Sequence, residues 1–421
     1  MSLRVAIDAR LETGKSGGVE AVVLGLARSL SRLHDGDEEY LFLTFDGADD
    51  WIRPHLSGPC RPLTVPWPRS QGGARAAARA RIAARAPGLR AVWRSLPVFP
   101  WTRLPRPRPS DGTVERAGVD LVHFTIQSAF LTDIPSIYHP HDLQHLHLSQ
   151  YFSAREIAKR ELHYRTYCDR AKMVVVTSRW ARQDLVRQYG LSEEKVVVVA
   201  WAPITDEYPS PEQAELDRIN VEYELPDRFI LYPAQTWPHK NHAGLLEALA
   251  LLRARGHSIP LVSTGHLSPH ATVLKGQARR LGLSDDIKWL GFVDPATLRA
   301  LYAEATAVVV PTRFEAASGP VWEAFAAGVP VACSNVTSLP EQVGDAALIF
   351  DPDDIGAMAD AILALWTDAG LRRRLAMRAK GRVAPFAWDR TARTFRAHYR
   401  RLAGQALTDE DRVLISLAQG I

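Results

Sequence analysis

The stretch Pro311-Thr312-Arg313-Phe314-Glu315-Ala316-Ala317-Ser318-Gly319-Pro320-Val321-Trp322-Glu323-Ala324-Phe325-Ala326-Ala327-Gly328-Val329-Pro330 decides how this chain is read. The apolar run Val308-Val309-Val310 stops at Pro311, and a short β-branched run of this kind suits a strand buried on both faces of a parallel sheet. Pro320 fits the first turn of a helix and Gly328 its C-terminal exit. Glu315 is therefore expected in a strand-to-helix loop, and Glu323 on the first turn after it. The two carboxylates are expected to converge on one strand-end cleft, where such groups accept paired hydrogen bonds from vicinal hydroxyls. The helix start, from Ser318 through Gly319 and Pro320 to Val321, offers N–H groups to a phosphate. A strand over Val329 to Ala332 and a capping box at Ser338-x-x-Glu341 complete the pattern. Taken alone, the same residues also read as two surface acids flanking a helix start.

Outward from this stretch, strand-like and helix-like runs alternate along the chain, the mark of an α/β layered fold. Val5-Ala6-Ile7, Leu41-Phe42-Leu43, Leu121 to Phe124, Val174 to Val176 and Val196 to Val199 read as one strand series. Val19, Val22, Val23, Leu26, Leu30 and Leu33 follow helical spacing after the first strand. An acidic, proline-bearing stretch from Thr205 to Pro226 reads as a linker. A second series begins at Phe229-Ile230-Leu231-Tyr232 and runs through Pro260-Leu261-Val262, Ile287 to Leu290 and Val308 to Val310. Two consecutive parallel-sheet domains facing a cleft are the expected architecture.

The 421 residues exceed one ordinary domain, and 46% hydrophobic with 23% charged residues excludes a disordered chain. A balance of 51 basic to 47 acidic residues, net +4, lacks the excess expected of a nucleic-acid binder. Cys60, Cys168 and Cys333 are too far apart for a zinc ribbon or a disulfide scaffold. The start lacks a leader-like apolar region, and no run of about 18 apolar residues occurs; a soluble, intracellular protein is the expectation. Residues 51–110 hold twelve arginines and no Asp or Glu, with Trp51, Trp67, Trp93 and Trp101. Ala74 to Ala86 would form a basic helix there. This segment reads as an insertion, either one that meets anionic lipid or a phosphorylated acceptor, or a solvated stretch.

Three further motifs carry candidate chemistry. Ala9-x4-Gly14-Lys15-Ser16 is a degenerate P-loop, but Gly17 and Gly18 follow directly, where that motif needs its helix to start. A flexible loop over Gly14 to Gly18 at a strand end is the better reading, with a plain turn as the alternative. His139-Pro140-His141-Asp142, with His145 and His147, lacks the HxHxDH spacing of a metal site. His141 instead reads as a neutral imidazole at a strand end, bonding a substrate hydroxyl or leaving phosphate, or as a structural loop histidine. Gln235-Thr236-Trp237-Pro238-His239-Lys240-Asn241-His242 precedes the helical spacing of Leu245, Leu246 and Leu249. Asn241 is a plausible N-cap, which sets Lys240 beside a positive helix terminus suited to a diphosphate. An exposed lysine next to a cap is the alternative.

At Glu315-x7-Glu323, followed by Ala326-Ala327-Gly328-Val329-Pro330-Val331, the sequence resembles the retaining GT-B glycosyltransferases of family GT4 (glycosyl transferases group 1). Gly17-Gly18-Val19-Glu20 is similar to that family's acceptor loop, and His141-Asp142-Leu143 to its HD motif. Ser338-Leu339-Pro340-Glu341 with Val343 to Ala347 matches the next segment, and Phe386-Ala387-Trp388-Asp389 the start of its last helix. The resemblance implies a GT-B fold of two Rossmann-like domains: residues 1–204 on the acceptor side, 205–385 binding the donor nucleotide, and a helix over 386–421 packing back on the first. It implies that Glu315 binds donor-sugar hydroxyls, Glu323 the ribose, Lys240 the leaving diphosphate, and that His141 contacts the donor sugar. Gln235 stands where family members often carry arginine, and Ala-Ala-Ser replaces the common Gly-Phe-Gly. Diphosphate stabilisation would then rest on Lys240, backbone N–H groups and another arginine.

The implied activity is retaining, metal-independent hexosyl transfer, with mannose weakly indicated, from a nucleoside-diphosphate sugar to a hydroxyl of a growing, lipid-linked cell-surface glycan. No cofactor and no nucleic acid are implied. The expected place is the cytoplasm, with peripheral contact at the inner face of the membrane through residues 51–110. Three alternatives stand beside it: an inactive glycan-binding subunit suggested by Gln235, a nucleotide-sugar epimerase of the same fold, and a P-loop nucleotidase resting on Lys15.

Overall fold

Valine-, isoleucine- and leucine-rich runs form the strands of two all-parallel sheets in a computed structural model that describes residues 2–11, 18–66, 104–203 and 210–420. The first domain contains β1 (Arg4–Asp8), α1 (Gly18–Ser31), β2 (Glu39–Phe45), β3 (Cys60–Val65), α2 (Thr113–Arg116), β4 (Leu121–Phe124) and β5 (Ser136–Tyr138). It continues with α3 (Gln144–His147), α4 (Ala154–Arg170), β6 (Met173–Val176), α5 (Arg179–Tyr189) and β7 (Val196–Val198). Its sheet runs β3-β2-β1-β4-β5-β6-β7. The order reverses between β1 and β4, the crevice where doubly wound sheets bind ligands.

The second domain contains α6 (Gln213–Glu222), β8 (Ile230–Pro233), α7 (His242–Ala254), β9 (Leu261–Thr264), α8 (Ala271–Arg280), β10 (Ile287–Gly291) and α9 (Pro295–Glu304). It closes with β11 (Ala307–Val310), α10 (Gly319–Ala326), β12 (Val331–Ser334), α11 (Leu339–Val343), β13 (Ala347–Phe350), α12 (Ile355–Thr367) and α13 (Ala369–Val383). Its sheet runs β10-β9-β8-β11-β12-β13, with the reversal between β8 and β11. The two Rossmann-like parallel-sheet domains expected from the sequence are present.

The chain then returns to the first domain through α14 (Trp388–Leu402) and ends in α15 (Asp409–Gly420). Trp388, Ala392, Phe395 and Tyr399 are buried among Leu26, Leu30, Tyr40 and Leu121. The Trp388 ring lies over Gly25 of α1, where an added Cβ would come within 2.3 Å of it. Its indole N–H donates to the Pro203 carbonyl at 3.1 Å. Arg400 of α14 bonds both Glu38 (2.5 Å) and Asp411 (2.9 Å), so the returning helices are held by charge as well as by apolar packing.

Two expectations are corrected. The basic insertion does not begin at residue 51, because Cys60–Val65 is the edge strand of the first sheet, paired in register from Tyr40↔Cys60 to Phe45↔Val65. Pro62 is tolerated there because an edge strand can leave one side of its backbone unpaired. Residues 67–103, which hold Trp67, Trp93, Trp101 and the expected basic helix, lie outside the described residues, as do Lys15 and Gly17. The stretch read as a linker contains α6, whose Ile219 is buried and which packs on α9. Among the described residues, no helix is long and apolar enough to cross a membrane.

Candidate functional site

A cavity of about 870 Å³ opens between the domains. The first domain lines it with Arg10, Gly18, His141, Asp142, Lys159, Arg160 and Trp201, among others, and the second with Glu315, Ala316 and Ala317. Most of these segments sit where a strand ends, whereas Lys159 and Arg160 lie on α4. Arg10 follows β1, His141 follows β5, and Glu315 follows β11. Gly18 opens α1, and an added Cβ there would meet nothing within 4 Å among the described residues.

His141 has φ 64, forced by the turn after Pro140. A non-glycine residue in this region is uncommon and concentrates at functional turns. Its Nε2 lies 3.0 Å from the Thr125 carbonyl, which accepts only from a protonated nitrogen. Nδ1 therefore carries the lone pair. Trp201 meets the imidazole edge-on at a 5.4 Å centroid distance. Burial lowers the His141 pKa to about 4, so the ring is neutral near pH 7. Asp142 accepts from the Gln144 N–H at 2.9 Å, and burial pushes its carboxyl upward.

Burial also lowers His123, His239, His242 and His398 to about 3 each, and His139 well below its ordinary value. Unfolding restores the ordinary histidine value of 6.5. Between about pH 6.5 and 4 the unfolded chain thus binds more protons than the native one, and stability falls as pH falls. The melting temperature is expected to drop steadily from pH 7 to pH 5, with proton uptake on unfolding approaching one per buried ring. Melts across that range test this, and a flat profile would contradict neutral burial.

Lys240 ends a 3₁₀ turn, Pro238–Lys240, and its carbonyl accepts from Tyr232 Oη at 2.8 Å. Asn241 caps α7 as expected: its side chain accepts from the Gly244 N–H at 3.3 Å and donates to the Pro352 carbonyl at 3.0 Å. From this fixed turn the Lys240 Nζ reaches Glu315 and forms an ion pair. Two candidate residues 75 positions apart are thereby brought into contact. Gln235 is not aimed at them, because its Oε1 accepts from the Trp237 indole at 2.6 Å. Arg313, the arginine nearest Glu315 in sequence, pairs with Asp353.

The start of α10 offers less than the sequence suggests. The Ser318 N–H is taken by Gln342 Oε1 at 2.9 Å, and Pro320 has none. The anion-binding reading therefore narrows to the N–H groups of Gly319 and Val321. Ser318 Oγ is buried with no hydrogen-bond partner among the described residues. Glu323 does not line the cavity that Glu315 lines. Its Oε2 accepts from Tyr302 Oη at 2.6 Å, and burial pushes its carboxyl upward. Its Oε1 lies 4.0 Å from where a side chain on Gly319 would begin, which sets it against the helix start.

The expected capping box at Ser338-x-x-Glu341 is absent. Ser338 Oγ donates instead to the Glu315 carbonyl at 2.9 Å. Glu341 reaches across to the other domain, accepting from the N–H groups of Arg179 and Trp180. Both partners lie far away in sequence, so the four-residue pattern carried no signal of them. Arg10 was also missed. It chelates Asp8 at 2.8 and 2.7 Å and sits 5.0 Å from the Phe130 ring centroid, at the cavity wall. Among the described residues, no group of three or more His, Cys, Asp or Glu side chains is placed to hold a metal ion.

Comparison with known proteins follows the same division of the chain. Residues 214–382 match the family described as Glycosyl transferases group 1, and residues 16–201 match Glycosyltransferase Family 4. The O-antigen chain mannosyltransferase B of Escherichia coli is 32% identical over 262 residues, 61% of this chain and 68% of that protein. A serotype-specific mannosyltransferase WbdA of Escherichia coli is 29% identical over 230 residues, which are 53% of this chain but 28% of that longer protein. Among solved structures, Anabaena Alr3699/HepE in complex with UDP and glucose superposes with a TM-score of 0.68 at 18% identity, covering 94% of this chain and 99% of that one. At that identity the likeness concerns the fold alone.

Proposed function

As the chain belongs to the glycosyl transferases group 1 family (glycosyltransferase family 4) and is a hexosyltransferase, we propose that it moves mannose, with retained anomeric configuration, from a nucleoside-diphosphate sugar to a lipid-linked cell-surface glycan. The observation that carries this reading is the Lys240–Glu315 pair, a cation held against a carboxylate that lines the interdomain cavity together with His141; Lys240 stands behind Glu315 and does not line the cavity itself. The named activities of the two Escherichia coli relatives support mannose as the sugar.

In this reading Lys240 and the N–H groups of Gly319 and Val321 stabilise the departing diphosphate, the main contribution to lowering the barrier. Glu315 accepts hydrogen bonds from donor-sugar hydroxyls, and Glu323 from the ribose. His141 Nδ1 accepts from a donor-sugar hydroxyl near the reacting carbon. Ser318 Oγ supplies a further donor to the bound nucleotide sugar. With no protein nucleophile assigned, the acceptor hydroxyl attacks from the face the diphosphate leaves. No metal or cofactor takes part. The acceptor enters along the wall bearing Gly18, Lys159 and Arg160. The protein works at the inner face of the membrane, touching it peripherally through the arginine-rich sequence between β3 and α2.

Thermal stabilisation by UDP, GDP, dTDP and ATP tests the donor. Selective stabilisation by one diphosphate, weakened by Lys240→Ala and untouched by Lys15→Ala, is the expected result. Stabilisation by ATP alone, abolished by Lys15→Ala, would overturn it in favour of a nucleotidase. Turnover of the matching nucleoside-diphosphate mannose in EDTA, with the anomeric configuration of the product read by NMR, then tests metal independence and retention. Conversion of the donor sugar without acceptor would instead indicate an epimerase.

A further inference from the structure

The contact between Glu341 and α5 assigns a positioning role that lies outside the substrate cavity. The first N–H groups of any helix have no partner within it. In α5, Ser178 Oγ accepts from the Ala181 N–H at 3.2 Å, which leaves those of Arg179 and Trp180. Glu341 takes both, one per carboxylate oxygen, at 2.8 and 3.0 Å. The arrangement is a charge-assisted, two-point cap on the positive end of a helix dipole. Its two halves belong to different domains.

The five-residue helix that carries Glu341, together with the two residues before it, also grips the loop bearing Glu315. Thr337 Oγ1 accepts from the Glu315 N–H at 3.0 Å and donates to the Glu315 carbonyl at 2.6 Å. Ser338 Oγ donates to that same carbonyl. Gln342 brackets Ser318 through two bonds, of 2.9 and 2.8 Å. Arg382 of α13 donates to the carbonyls of Glu341 and Gln342, fixing the helix from behind. Next to the cap, Thr177 Oγ1 makes one long bond of 3.4 Å to the Ala316 carbonyl, and a gap of about 60 Å³ remains between Thr177, Trp322 and Phe386. At this face the domains thus meet through these polar points and one aromatic contact, in which the Phe314 ring lies 5.5 Å from that of Trp180 and 5.6 Å from that of His147.

We propose that Glu341 is an interdomain clasp. By capping α5 it holds the cleft closed, and through α11 it sets the Glu315–Ser318 loop against the acceptor-side wall. It touches no substrate. Opening the cleft breaks both carboxylate bonds together, and closing it restores both, so the state of the cleft is coupled to the position of the loop.

The clasp can be cut from either side. Arg179→Pro removes one of the two N–H donors while leaving Glu341 and the whole second domain unaltered. Proline is tolerated at the first helical position, and the extended Ser178 (φ −147, ψ 154) suits the residue before it. Arg179→Ala keeps the N–H and controls for loss of the exposed guanidinium. Small-angle scattering of the free protein is expected to show a larger radius of gyration for Glu341→Ala and Arg179→Pro, and no change for Arg179→Ala. Closed clefts exclude water, so the ratio of sugar transfer to donor hydrolysis is expected to fall about tenfold in the first two variants, the effect of losing one charge-assisted bond.

Stabilisation by the diphosphate that stabilises the wild type is expected to persist in all three variants. Unchanged scattering in both cut variants would overturn the proposal. So would loss of diphosphate stabilisation in Glu341→Ala, which would mean that Glu341 merely supports the donor domain. The rate arm rests on the transferase reading, whereas the scattering arm does not. A wild type without turnover, whose cut variants still expand, would sink that reading and leave the clasp standing.

Discussion

Replacing Lys240 by alanine is expected to lower kcat/KM by two to three orders of magnitude, about 2.7–4 kcal/mol of transition-state stabilisation, the cost typical of losing a preorganised donor to a developing anion. The ammonium is held in place before any substrate arrives. Its backbone is locked by the Tyr232 bond and the Asn241 cap, and its head by Glu315. A donor diphosphate would share or displace that carboxylate. The loss should fall mainly on kcat, because negative charge on the leaving group grows toward the transition state. Initial-rate kinetics with saturating acceptor measure the effect. Lys240→Arg, which keeps the charge but changes its geometry, should recover only part of the rate. A kcat/KM within threefold of wild type in Lys240→Ala would remove this residue from the mechanism.

Trp388→Ala is expected to destabilise the first domain by about 3–5 kcal/mol, the range for truncating a buried aromatic side chain. The ring is 4% exposed, it covers Gly25 of α1, and its N–H satisfies the Pro203 carbonyl. Truncation leaves a void against a glycine that cannot fill it and an orphaned buried carbonyl. Urea denaturation followed by the fluorescence of first-domain tryptophans measures the change. A two-domain chain need not unfold in one step, so the transition of the first domain is the one to compare. A loss below about 1 kcal/mol would show that α14 is anchored chiefly by its Arg396 and Arg400 ion pairs.

Most of the strands were legible because each is a short run of apolar residues buried on both faces. Val174 to Val176 and Val308 to Val310 are examples with no competing reading. The edge strand Cys60–Val65 escaped notice for the opposite reason: Arg61 is exposed, Pro62 breaks the pattern, and only one flank needs pairing. Helix α6 was hidden because a single residue, Ile219, is fully buried on it. Among the site residues, the cap at Asn241 and the helix start at Pro320 were legible, since both depend on neighbours a few positions away.

Local chemistry along the chain was thus sufficient for the alternation of strand and helix, the two parallel sheets, and the strand-end positions of His141, Lys240 and Glu315. These follow from periodicity, capping and backbone restriction, which act over a few residues. Which partner each polar group takes was decided only when distant segments met. Ser338 and Glu341 have the spacing of a capping box, yet Ser338 bonds the Glu315 loop and Glu341 caps a helix of the other domain. Ser318 gave up its N–H to Gln342, and Gln235 turned to Trp237. A hydrogen-bonding group in a forming interior takes whichever partner the packing of apolar faces brings within about 3 Å, and that packing is a property of the whole chain rather than of any stretch of it.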